Sequence, residues 1–107
     1  MKEYGFPSVY KYDGQTGLWS KLGTLSDMMA YDGSIVVDEN GVVYVVYALM
    51  GDQQTDYDDM IQVKKYENDQ WSDVGNFGRA GGVPKLAMSS DNVLYLSFRD
   101  YAENNRY

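Results

Sequence analysis

Short stretches of β-branched and aromatic residues recur along this chain, and each stretch is closed by residues typical of tight turns. Residues 9–12 read VYKY, pass through the turn sequence DGQTG, and return in the tryptophan segment LWSKL at residues 18–22. Val, Tyr and Trp bounded by Gly and Asp are typical of β-hairpins. Helix caps and an apolar period of 3.6 residues are missing along the chain, so the pattern predicts strands.

The same pattern occurs twice, with a period of about fifty residues. VYKYDGQTGLWSKLG at residues 9–23 matches VKKYENDQWSDVG at residues 63–75, at an offset of 54 before the turn and 52 after it. IVVDENGVVYVVY at residues 35–47 matches LAMSSDNVLYLSF at residues 86–98, at an offset of 51. Each repeat therefore predicts two hairpins, the second of which turns through ENG in one copy and SDN in the other.

The strands that begin at Val42 and Val93 are apolar at successive positions, which predicts burial on both faces. An antiparallel sheet is buried on both faces when sheets stack face to face around an axis. Four-stranded units of about fifty residues stacked in this way are the blades of a β-propeller. The sequence therefore predicts an all-β fold with two four-stranded antiparallel blade units.

The blade motifs are GVVYVVY at residues 41–47 and NVLYLSF at residues 92–98, together with a KY strand that leads to W-S-x-[LV]-G in each copy. They resemble the repeats of a broad group of β-propellers that includes bacterial surface proteins, sialidase-like domains and propeller lectins. The resemblance covers nearly the whole chain. It implies the propeller architecture but no single family, because functionally unrelated proteins share these blade patterns.

If the hairpins that open with Ile35 and Leu86 are the inner halves of blades, residues 34–75 form one complete blade. Residues 1–23 are then an outer half-blade and residues 85–107 an inner half-blade, and their strand edges can template pairing with another chain. We therefore expect a cyclic homo-oligomer, most simply three chains with six blades, with four chains and eight blades or two chains and four blades as variants. The alternative is a fragment of a larger propeller.

Composition narrows the function classes. The chain has 9 Lys and Arg against 16 Asp and Glu and a net charge of −7, which opposes binding to the nucleic-acid backbone. It has no Cys and no His, which excludes disulfides, thiolate zinc ligation and nucleophilic arrangements that depend on His.

Catalytic chemistry is disfavoured on the same grounds. Sialidases use an arginine triad and S-x-D-x-G-x-T-W boxes, whereas SSDNVLY at residues 89–95 departs from that box at its later positions. A pair of carboxylates of the glycosidase kind remains open, because acidic residues are abundant. We predict that the protein is not an enzyme and uses no cofactor.

The longest apolar run, VVYVVYALM at residues 42–50, has about half of the roughly twenty residues that a membrane-spanning helix needs. We therefore predict no membrane partner. The amino terminus, MKEYGFPSVYK, shows no apolar stretch of signal-peptide length. Localisation stays open between the cell surface, if the chain is part of an exported parent, and the cytoplasm.

Residues that differ between the two copies are better ligand candidates than repeated aromatics such as Trp19 and Trp71, which we assign to packing between blades. Arg79 lies in the glycine-rich segment NFGRAGG, where a connection between blades is favoured over an anion site. Arg99 lies near an expected blade end, although an ordinary surface ion pair is the favoured interpretation of it. The predicted ligand-binding residues are Tyr57, Arg79, Arg99 and Tyr101.

An acidic run at residues 51–60, GDQQTDYDDM, carries four carboxylates of the kind that Ca²⁺ accepts: Asp52, Asp56, Asp58 and Asp59. The run lacks the twelve-residue spacing of a calcium loop, so we favour a solvated loop and predict no metal site.

Two functions remain from these observations. The first is a carbohydrate-binding, lectin-like module that assembles by completing blades between chains. The second is a structural or protein-interaction propeller, or a piece of a larger one, that has no small-molecule ligand.

Overall fold

A computed structural model describes residues 5–50, 60–75, 77 and 79–101. Within these ranges the chain forms eight strands, and all their pairings are antiparallel, so the predicted all-β fold is confirmed. The strands are β1 (Ser8–Asp13), β2 (Leu18–Thr24), β3 (Ala30–Val37), β4 (Val43–Leu49), β5 (Met60–Glu67), β6 (Gln70–Asp73), β7 (Gly81–Met88) and β8 (Leu94–Asp100).

The described strands form three sheets. The central sheet has four strands in chain order, β3-β4-β5-β6, whereas β1–β2 and β7–β8 are separate two-stranded hairpins. Val45 and Tyr47 of β4 pack with Val9 on one face of the central sheet. Val46 and Ala48 pack with Leu86 on the other face. The two hairpins therefore cover opposite faces of the central sheet, and the molecule has three layers.

Strand β4 is buried on both faces, as its unbroken apolar sequence predicts. Four successive residues, Val45, Val46, Tyr47 and Ala48, are at most 8% exposed. They point alternately into the two apolar clusters, because successive side chains of a strand lie on opposite faces. Strand β4 is thus the centre of the stack.

Strand β8 has the same sequence pattern, but the prediction that both its faces are buried is wrong within this chain. Leu94, Leu96 and Phe98 pack toward the central sheet. Tyr95 is 59% exposed on the opposite face. That face is exposed because none of the described residues forms a further layer beyond the β7–β8 hairpin.

The turns explain why the strands end where they do. The Asp38 Oδ1 atom accepts hydrogen bonds from the Asn40 and Val42 amides at 2.8 and 2.9 Å, and Gly41 has a φ of 85°. In the second copy Ser89 takes the role of the aspartate, and Asn92 has a φ of 65°. Asn tolerates the left-handed conformation better than most residues, which accounts for its presence where the first copy has Gly.

The sequence predicts strands that begin at residues 34 and 85, but β3 and β7 both begin four residues earlier, and each contains a bulge. The strand register shifts between Tyr31 and Gly33 in β3, and between Gly82 and Lys85 in β7. The extra residues at these bulges conceal the strand pattern, since they interrupt its period of two.

Candidate functional site

The three described candidate residues lie at one end of the β7–β8 hairpin. Arg79 immediately precedes the hairpin, Arg99 belongs to β8, and Tyr101 follows it. Tyr57 lies outside the described residues, as does the acidic run from Asp52 to Asp59. The structure therefore brings three of the four predicted residues into one region.

Arg79 is held by an ion pair with Asp100. Its Nε and Nη2 atoms donate hydrogen bonds to Asp100 Oδ2 at 3.1 and 2.8 Å. The Arg79 carbonyl accepts a hydrogen bond from the Ile61 amide at 3.0 Å. These contacts tie the connection between the central sheet and β7 to both β5 and β8, which fixes the position of the Arg79 backbone.

Arg99 and Tyr101 lie on the other face of the hairpin, away from the Arg79 ion pair. Gly82 is directly opposite Arg99 in the ladder, so a side chain at Gly82 would share a face with Arg99. A Cβ atom at Gly82 would lie 3.0 Å from the Tyr101 hydroxyl oxygen. Tyr101 therefore lies over the same outward face as Arg99, whereas Asp100 points to the central sheet.

Four residues share this outward surface, which we call the β8 outer face: Tyr95, Ser97, Arg99 and Tyr101. Tyr95 is its most exposed aromatic residue. Tyr95 is one of the repeated aromatic residues, for which the sequence predicts a packing role, because Tyr44 occupies the matching position of the first copy. Its spacing of two from Ser97 and of four from Arg99 is the sequence signal that joins these residues on one face.

The β8 outer face combines two phenol rings with a guanidinium group. A phenol ring offers an apolar surface to the C–H face of a pyranose, and its hydroxyl group can exchange hydrogen bonds. A guanidinium group donates several hydrogen bonds in a fixed plane. The chemistry of the face therefore suits polar ligands with an apolar side.

The repeated aromatic residues form two pairs of nearly equal geometry. Tyr12 and Trp19 have ring centroids 5.2 Å apart at an angle of 49°. Tyr66 and Trp71 are 4.9 Å apart at 48°. Trp71 Nε1 donates a hydrogen bond to the Leu22 carbonyl at 3.0 Å across the layers. This contact supports the packing role that the sequence predicts for Trp71.

Tyr47 has a buried hydroxyl group with a structural role. Tyr47 is 3% exposed, and its hydroxyl donates a hydrogen bond to Gln62 Oε1. Burial, with a smaller effect of the Asp73 carboxylate, raises the pKa of Tyr47 well above its ordinary value. The hydroxyl therefore stays protonated at neutral pH and fixes β4 against β5.

The described residues contain no group of three or more His, Cys, Asp or Glu side chains that could hold a metal ion. Nor does the described part of the chain include a helix with the length and apolar character needed to cross a membrane.

Comparison with known proteins gives no relative from which a role could be transferred. No protein-family model, no curated protein and no solved structure matches this chain.

Proposed function

We propose that this chain is a non-enzymatic β-propeller module that binds carbohydrate and completes its blades with further copies of itself. The observation that carries the proposal is the three-layer arrangement. A four-stranded sheet lies between two hairpins, and each hairpin repeats the sequence of one half of that sheet.

The two hairpins are complementary by sequence. The β7–β8 hairpin repeats β3–β4, because Leu86 matches Ile35 and Phe98 matches Tyr47. The β1–β2 hairpin repeats β5–β6, because Trp19 matches Trp71. Joined in the order β7-β8-β1-β2, they would make a second sheet like the central one. They lie on opposite faces of the central sheet, so a second chain is needed to join them.

Exposed apolar residues on the central sheet support contact with a further layer from another chain. Ile35 and Val37 are opposite Val45 and Val43 in the ladder and therefore face the β1–β2 layer. Ile35 is 52% exposed and Val37 is 57% exposed, whereas Leu86, the repeat of Ile35, is 9% exposed. The β1–β2 hairpin covers only half of that face, and an added hairpin would bury the remainder. Burial of apolar area is the main favourable term in association.

The proposed ligand follows from the β8 outer face. In a closed ring the Tyr95 end of this face packs against the next blade, and a short-chain sugar would contact Arg99 and Tyr101 at its other end. Tyr57 and Arg79 remain proposed contacts from the sequence, although Arg79 would first have to exchange its ion pair with Asp100. The absence of His and Cys from the sequence supports binding without catalysis.

Sedimentation and glycan binding test the two parts of the proposal. We expect the chain to sediment at three times its mass of 12.2 kDa at micromolar concentration. On a glycan array we expect binding that is reduced at least tenfold by Arg99→Ala, with Lys21→Ala, a change of an exposed cation on β2, as the matched control. A stable single chain would contradict the assembly.

A protein-interaction scaffold is the second candidate, and a specific observation favours it. The exposed Ile35 and Val37 and the unpaired strand edges are explained by contact with protein alone. A folded oligomer that binds no glycan on the array would support the scaffold and contradict the lectin.

A further inference from the structure

We infer the geometry of the contact between copies: the β7–β8 hairpin of a second copy pairs with β1, with Ser97 of that copy opposite Val9 and its Leu94 opposite Tyr12. Trp19 then packs on the second copy at Val74 and Gly75. This inference rests on the proposed assembly and specifies the partner surface, the strand register and one anchoring side chain.

The central sheet supplies the template for the register. In the ladder between β4 and β5, Val46 is opposite Val63, and Val43 is opposite Tyr66. The 51-residue offset places Ser97 and Leu94 at the positions of Val46 and Val43. The 54-residue offset places Val9 and Tyr12 at the positions of Val63 and Tyr66. Transferring the observed pairing through both offsets gives one register between β8 and β1.

Both strands of that pairing have a free edge. Among the described residues, β1 pairs only with β2, and β8 pairs only with β7. In the central sheet the equivalent edges of β4 and β5 are joined over seven residue pairs. Unpaired strand edges are templates for the addition of another strand, so these edges are chemically suited to each other.

The place for the second hairpin is an open apolar groove beside β1, which we call the β1 groove. Its walls include Phe6 and Val9 from the first layer and Gly33, Val45 and Tyr47 from the central sheet, around a cavity of about 270 Å³. The exposed Ile35 and Val37 lie on the same face of the central sheet. A hairpin placed here would extend β1–β2 to four strands.

A second copy is the occupant that the repeat specifies. The observed contact between the β7–β8 hairpin and the central sheet buries Val36 and Tyr44 partly against Leu86. The groove presents Ile35 at the position that Leu86 has in that contact, and the arriving hairpin presents Ala87 and Tyr95 at the positions of Val36 and Tyr44. The contact between chains therefore repeats the contact within the chain.

Trp19 gives an independent point of attachment. Trp71 packs on β2, where its Nε1 atom would lie 2.7 Å from a Cβ at Gly23 and where it bonds to the Leu22 carbonyl. At the 52-residue offset of the repeat, Trp19 matches Trp71, and Val74 and Gly75 match Leu22 and Gly23. Among the described residues, no atom lies within 4 Å of a Cβ built on Gly75. That space is open for the indole of Trp19 from the next copy.

Engineered disulfides test the register, because the natural sequence has no Cys to interfere. Lys11 and Tyr95 are both exposed and become directly opposite each other in the inferred register. Paired Cα atoms of antiparallel strands are about 4.5 to 5.5 Å apart, which suits a disulfide. We expect Lys11→Cys/Tyr95→Cys to form a covalent trimer on oxidation, reversed by dithiothreitol.

The matched control is Lys11→Cys/Arg99→Cys, in which the second cysteine is four residues along β8, about 13 Å away, on the same face. We expect at least tenfold less cross-linking from it. Val9→Cys/Ser97→Cys tests the same register if the first variant does not assemble. Both variants are first sedimented beside the natural chain.

The outcomes separate this inference from the proposed function. A natural chain that sediments as a single copy overturns both. An assembled chain in which both matched pairs fail to cross-link, or in which the control links equally well, overturns the register and leaves the assembly standing. A Trp19→Ala variant that assembles as tightly as the natural chain overturns the anchoring role of Trp19.

Discussion

The two aromatic hairpins are nearly identical in internal geometry and different in their surroundings. The rings of Tyr12 and Trp19 meet at almost the same distance and angle as those of Tyr66 and Trp71. Trp19 is nevertheless 67% exposed. Trp71 packs against the apolar cluster that contains Val9 and Val45, and it donates a hydrogen bond to β2.

This difference shows that the hairpin alone determines the aromatic pair, whereas burial of the tryptophan depends on a neighbouring sheet. The cross-strand pair forms in both copies because directly opposite side chains of an antiparallel ladder contact each other. Burial of the tryptophan depends on a sheet that packs against the hairpin from outside. Trp71 has such a sheet within the chain, and Trp19 has none among the described residues.

The largest expected effect comes from removing each indole in turn. Trp71→Ala should lower the free energy of unfolding by about 3 kcal/mol, because it leaves a cavity between layers and an unpaired Leu22 carbonyl. Trp19→Ala should change it by no more than about 0.5 kcal/mol in solution dilute enough that the chains are separate, below the concentration at which they assemble. Urea denaturation followed by circular dichroism gives both values. Equal losses of stability in the two variants would show that packing on the neighbouring layer does not account for the contribution of Trp71.

The next largest loss of stability is expected from a change at Gly81, where the first copy has Ala30. Gly81 is opposite Asp100 as Ala30 is opposite Leu49, but a Cβ at Gly81 would lie 2.5 Å from the Phe98 ring and 2.6 Å from the Arg99 carbonyl oxygen. Gly81→Ala should therefore lower the free energy of unfolding by about 2 kcal/mol.

Gly14→Ala is the control for the glycine change, because a Cβ at Gly14 meets no described atom within 4 Å. We expect it to be neutral to within about 0.5 kcal/mol in the same denaturation experiment. A Gly81→Ala variant as stable as this control would show that β7 can shift away from Phe98.

The smallest loss of stability is expected for Tyr47→Phe. The second copy already has Phe at the matching position, Phe98. At neutral pH the variant loses the hydrogen bond to Gln62, which should lower the free energy of unfolding by about 1 kcal/mol. The pKa of Tyr47 is raised in the folded chain, so its stabilisation is complete below the unfolded pKa of about 10 and declines above it.

The pH dependence of the stability isolates the contribution of the Tyr47 hydroxyl. Between pH 10 and 11, the stability of the natural chain relative to Tyr47→Phe should fall by about 1 kcal/mol. Denaturation of both proteins across that range measures the difference. A constant difference would show that the Tyr47 hydroxyl ionises equally easily in the folded and unfolded chains.

Strand positions could be predicted from the sequence because local chemistry determines them. The turn at Asn68 and Asp69 has positive φ at both residues, as a two-residue hairpin turn requires, and Asn and Asp are among the residues that tolerate it. The start of β7 could not be predicted, since Gly82 and Pro84 are not typical of strand interiors and occur here at a bulge.

The candidate site was less predictable, because side-chain contacts depend on how distant segments approach. Arg79 and Arg99 were both predicted to bind a ligand, yet the structure places Arg79 in an ion pair with Asp100 and leaves Arg99 on the opposite face. The sequence pattern also suggests that β8 resembles β4. It cannot show that Tyr95 is exposed, since exposure depends on which layers are present.

The placement of β1–β2 and β7–β8 on opposite faces of the central sheet has a consequence for chain connectivity. A circular permutant that begins at Ala30 and continues from residue 107 through a flexible linker into β1 would carry β7, β8, β1 and β2 in succession. Its two sheets could then both form from one polypeptide, like the β3-β4-β5-β6 sheet. Such a permutant would complete both four-stranded sheets without exchanging strands between chains.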